Sequence, residues 1–234
     1  MLVATLAAFA VPFELFLFAY AVLGPLHYLT EISWLHKRQY FGSSKYDYIP
    51  LIAIGVVLLL FVFVFKEQSM FINVLIFVAF FYALGMVLIK DTLAKIAFIA
   101  VGVVAGAIMQ QAQPFILLFG VFLPTLIHVF VFTGLFILYG ALKSKSTTGL
   151  LSIGVFVLCA LSFFVYKPVF PFYKVTEYAQ NALVQSGFIQ LNKNLIELFK
   201  LGEFTRETVF ESGIGLSIMR FIAFAYTYHY LNWF

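Results

Sequence analysis

The chain has 234 residues, of which 64% are hydrophobic and only 10% charged, and its mean hydropathy is +1.05. Soluble domains carry about 25% charged residues, so too few polar side chains are present to cover a water-facing surface, and the sequence reads as an all-α polytopic transmembrane helical bundle. The net charge of +4 then speaks to membrane topology rather than to a nucleic-acid partner, and a single cysteine, Cys159, excludes an internal disulfide or a Cys-rich metal site.

A helical span needs about twenty apolar residues. Seven stretches qualify: residues 4–29, 49–65, 69–89, 92–111, 115–142, 149–166 and 213–234, together forming one transmembrane domain over 1–234. Met1 to Ala10 has no basic residue ahead of its apolar run, so it reads as part of the first span rather than a cleaved leader. Gly102 and Gly106 in the fourth span form a small-xxx-small pair, the pattern of close helix packing. The connection 167–212 is long and nearly charge-balanced. Within it Leu191, Leu195, Leu198 and Phe199 recur at helical spacing with Lys193, Glu197 and Lys200 towards the other side, which predicts an amphipathic interfacial helix stopped at Gly202. A helix packed across the bundle ends fits the same pattern. The chain stops at Trp233-Phe234 without a polar tail, and a piece of a longer protein is expected.

Lys37, Arg38, Lys45, Lys90, Lys143 and Lys145 lie in the first, third and fifth connections, whereas the second and fourth carry only Lys66. By the positive-inside rule this places the N-terminus outside and the odd-numbered connections in the cytoplasm, and the expected location is a cell's inner (plasma) membrane, as a multi-pass chain.

Ionisable groups within spans are costly and are functional candidates by default. Here they are Glu14, Lys95, His128, Arg220 and His229, with His27 near a span end; Lys95 and Arg220 are close enough to span ends to snorkel. Pro12, Pro25 and Pro124 each precede one of these groups, Glu14, His27 and His128 respectively. Proline removes a helical hydrogen bond and frees a carbonyl one turn back, so each is expected to disturb its helix beside a polar group. Counting about 1.5 Å of rise per residue along straight spans, His128 falls near the midplane, His229 about 7 Å nearer the cytoplasm and His27 about 6 Å further. Such a column would open at Glu31, one helical turn from His27, and at His36.

Imidazole and carboxylate suit non-haem iron with open positions for oxygen or substrate, so His27, His128, His229 and His36 are the candidate metal ligands for Fe(II). Glu31 and Glu14 are candidate catalytic carboxylates. An interhelical hydrogen-bond role competes with ligation at each histidine. Two further readings stay open: a proton-coupled transporter or flippase using Glu14 and His128, and a haem protein with His27 and His229 as axial ligands. No phosphate-binding loop, nucleophile elbow or zinc His-Glu-x-x-His occurs.

The kinked polar end of the first span, the isolated histidines on separate helices and the Phe-rich body resemble the Brp/Blh family of membrane-embedded carotenoid dioxygenases. That resemblance implies histidine-bound ferrous iron and oxidative cleavage of a carotenoid taken from the bilayer. His27 would stand for the family's first-span histidine, and His128 and His229 for later ones. The family's closely spaced late histidine pair has no counterpart up to Phe234.

Overall fold

The computed structural model describes residues 1–38, 46, 48–65, 70–109, 117–166, 173–203 and 205–232. Among them every regular element is a helix, and three helices are long and apolar enough to cross a membrane: Pro12–Trp34, Thr125–Lys143 and Thr147–Val165. Three shorter apolar helices, Ile49–Leu59, Val74–Leu88 and Thr92–Ile108, fall within the expected second, third and fourth spans. The chain divides into two compact units, Met1–Thr30 with Val121–Phe234, and Glu31–Gly120.

The expected first span, 4–29, is broken. Helix α1 (Leu2–Ala10) ends at Val11, whose φ of −140° and ψ of 61° leave the helical region, and α2 (Pro12–Phe18) starts on the proline. The physical cause is Pro12, which cannot donate to the carbonyl one turn back and pushes the preceding residue out of the α region. A π-helical turn, Ala19–Leu23, then leads into α3 (Gly24–Arg38), and the Gly24 N–H bonds five residues back to the Ala19 carbonyl. The widened turn sits directly ahead of Pro25, where an i→i−4 bond is missing. Apolar helix therefore runs over Pro12–Trp34, later than the sequence implies.

The first unit is built round its last helix. Helices α7 (Thr133–Lys143) and α8 (Thr147–Val165) form a hairpin turned at Ser144–Ser146, with Lys145 at φ +50° and the Ser146 Oγ capping Gly149 at 3.1 Å. Helices α9 (Glu177–Gln185), α10 (Ile189–Leu198) and α11 (Arg206–Phe210) follow, and α12 (Gly213–Leu231) closes the chain. α12 packs against α1, α2, the first π turn, α8, α10 and α11, burying 13 of its 19 residues. Phe16 meets Tyr226 edge-on at 5.2 Å, and Phe163 meets Phe224 at 5.6 Å. Spacings of this kind are those of well-packed aromatic pairs.

α12 forms where the seventh span is expected and is long enough, yet it is not among the helices apolar enough to cross. Ser217, Arg220, Thr227, His229 and three tyrosines lower its hydropathy, and other helices bury most of it. Arg220 is accordingly not a snorkelling residue. It is buried, with its guanidinium 5.3 Å from the centre of the Phe9 ring.

The amphipathic helix forms as α10. Leu191, Leu195 and Ile196 are buried, and the helix packs on α12 and α11, while Lys193 and Glu197 pair at 3.7 Å on the outer face. Leu198 and Phe199, expected on the buried side, are exposed at the end of the helix. Lys200 and Gly202 carry the stop with φ of +51° and +147°.

In the second unit α4 (Ile49–Leu59) runs on through a π segment, Leu60–Phe65, and α5 (Met70–Leu88) pairs with α6 (Thr92–Met109). The expected close packing is present: a Cβ at Gly102 would lie 2.3 Å from Phe81 Cγ, and one at Gly106 2.9 Å from Phe77 Cβ. Asp91 caps α6 by accepting the Ala94 N–H at 2.8 Å.

Candidate functional site

His27, His128 and His229 come from α3, a long π-helix (Leu117–Phe132) and α12, all in the first unit. His27 follows the Ala19–Leu23 π turn and Pro25, is completely buried, and packs its ring 5.2 Å from that of Tyr230. His128 lies in a π-helical segment that also holds Pro124, whose missing N–H disturbs the i→i−4 ladder there. His229 is buried near the end of α12.

The three rings are neighbours. His229 stands between the other two, 4.8 Å from His27 and 5.1 Å from His128, centre to centre. These spacings are shorter than the depth offsets expected along straight spans, and the column becomes a cluster. The straight-rod assumption fails because the chain breaks at Val11 and runs through two π-helical segments before His27 and around His128. On its other side the His229 Nδ1 lies 2.8 Å from Thr133 Oγ1, which in turn bonds the Val129 carbonyl at 2.7 Å.

Two imidazoles that point at one ion from about 2.1 Å hold their centroids roughly 4.6 Å apart at a right angle and roughly 5.3 Å apart at the tetrahedral angle. Both observed spacings fall inside that window. Ordinary aromatic packing uses the same distances, and no three His, Cys, Asp or Glu side chains among the described residues are already disposed to hold an ion. The imidazoles thus suit iron as donors, and the two ring spacings at His229 suit a shared ion.

Glu14 has partners of its own. Glu14 precedes His27 by thirteen residues of mostly helical chain, about 20 Å of rise. Its carboxylate accepts the Tyr173 hydroxyl at 2.8 Å, the Thr176 N–H at 3.1 Å and the Thr176 hydroxyl at 3.0 Å. Thr176 also caps α9, so Glu14 fastens the start of that helix. Burial, together with the hydrogen bond to Glu14, pushes the Tyr173 phenol up. Glu31 is half-buried and belongs to the second unit. His36 lies on α3, and its side chain is outside the described part.

Comparison with protein families, with curated proteins and with solved structures gives no match. Thr133 and Tyr230 are the site neighbours that sequence reasoning passed over. A signal for Thr133 existed: it is a hydroxyl in an otherwise apolar stretch, one turn beyond the histidine-bearing segment.

Proposed function

We propose that this protein is an integral membrane oxidoreductase that holds ferrous iron on His27, His128 and His229 and acts on a long apolar substrate, a carotenoid or another lipid, drawn from the bilayer. The observation that supports it is the gathering of three of the chain's four histidines into one cluster, from three segments far apart in sequence. Ring packing alone needs no histidine, and Phe would serve it better in an apolar interior. Apolar helices on the same chain supply the route by which such a substrate would arrive. Iron bound there would supply activation of oxygen at its open positions. The protein's own share is to hold the ion with neutral imidazoles in a setting largely closed to water.

Metal analysis of the detergent-purified full chain, reconstituted with ferrous iron without air, tests the proposal. About one iron per chain is expected. His229→Gln should lose the metal yet remain monodisperse, since an amide replaces the hydrogen bonding of an imidazole but not its ligation. A well-folded protein that takes up no iron, or a His229→Gln variant with full occupancy, would overturn it.

A further inference from the structure

We infer that Thr133 is a positioning residue that fixes His229 with its proton on Nδ1 and its lone pair on Nε2. The bookkeeping starts from the Thr133 hydroxyl, which has one proton to give. The Val129 carbonyl, 2.7 Å away, can only accept, so that proton is spent on it. Towards His229, at 2.8 Å, the Thr133 oxygen is left with lone pairs alone, and Nδ1 must be the donor. A neutral imidazole that donates from Nδ1 carries its lone pair on Nε2. Both bonds are buried, where water does not compete for either group.

The arrangement is reinforced by the backbone. Val129 lies in the π-helix and Thr133 opens α7, so the hydroxyl reaches back one turn across the junction between the two registers. Thr133 is only 4% exposed, which leaves its side chain little room to rotate away. A histidine that donates its other ring N–H to a fixed oxygen is the usual way a protein sets both the tautomer and the ring direction of a metal ligand. Nε2 is then the atom His229 offers to the ion, an assignment that rests on the iron site proposed above. The tautomer itself does not.

The test therefore has two arms on the full chain in detergent. In metal-free protein labelled with 15N-histidine, with the His229 signals assigned by their loss in His229→Gln, Nδ1 should resonate as a protonated nitrogen and Nε2 as an unprotonated one. The reverse pattern overturns the inference. Thr133→Val keeps the shape and removes the acceptor, and it should mix the two tautomers, whereas Thr133→Ser should retain the wild-type pattern. In the second arm, titration with Co(II) followed by its visible bands should show binding about 10–100-fold weaker in Thr133→Val, with Thr133→Ser close to wild type. Equal binding by all three proteins removes Thr133 from any positioning role. Wild-type protein that shows the assigned tautomer but binds no Co(II) overturns the metal site and the role of Nε2 in it, and leaves the tautomer standing.

Discussion

Gly215→Ala sets two effects of opposite sign against each other. Gly215 lies in the first turn of α12, the helix that carries His229. By helix propensity alone, Ala in place of Gly would stabilise by up to about 1 kcal/mol. Packing says otherwise: a Cβ there would lie 2.2 Å from the Thr208 carbonyl oxygen, 2.3 Å from that of Val209 and 2.7 Å from the Val209 carbonyl carbon. All three are backbone atoms, so no side-chain rotation relieves the clash, and α11 and α12 must part by about 1 Å at a close-packed seam. That seam buries Val209 and Phe210, and the Ser212 Oγ that caps α12 is held in it by the Thr208 carbonyl. Overpacking of this kind costs about 1–3 kcal/mol, with the upper end apt for backbone, so the net is a loss of about 1–2 kcal/mol and a fall in Tm of about 2–8 °C for a chain this size. Thermal unfolding in detergent, followed by circular dichroism, reads it. Gly154→Ala is the control: it sits mid-helix in α8 with nothing within 4 Å of an added Cβ, and its Tm should hold or rise. A Gly215→Ala variant as stable as wild type would show that the corner between α11 and α12 is not packed as described.

Glu14→Gln separates a clamp from a proton relay. Loss of charge on an acceptor of three hydrogen bonds should cost about 1–2 kcal/mol after allowance for partial exposure, seen as earlier unfolding without any change in pH-dependent flux in proteoliposomes. Flux abolished at unchanged stability would restore the relay. Topology is checked by reporter fusions at Lys66, Ser144 and Asn194; the positive-inside reading expects Ser144 in the cytoplasm and Lys66 outside, and the opposite pair of signals would invert it.

Helix type and membrane character were legible in the sequence because they depend on local composition: twenty-odd apolar residues in a row need no partner to declare themselves. The amphipathic helix and the close packing at Gly102 and Gly106 follow from short-range rules and appear where those rules put them, although that helix ends at Leu198, before the expected stop at Gly202. Proline marked the places where helix gives way, at Val11 and in the π-helical segments beside His27 and around His128, since a missing N–H is a property of one residue. Tertiary structure decided what each polar group is for. Arg220 read as a residue near enough to a span end to snorkel and His229 as one member of a polar column; because other helices pack round most of α12, both lie in the interior of the first unit. Glu14 and Tyr173 are 159 residues apart, and Thr133 and His229 are 96 apart. No local pattern encodes such pairs, because each is created only when helices distant in the chain pack side by side and a buried donor takes the acceptor within reach.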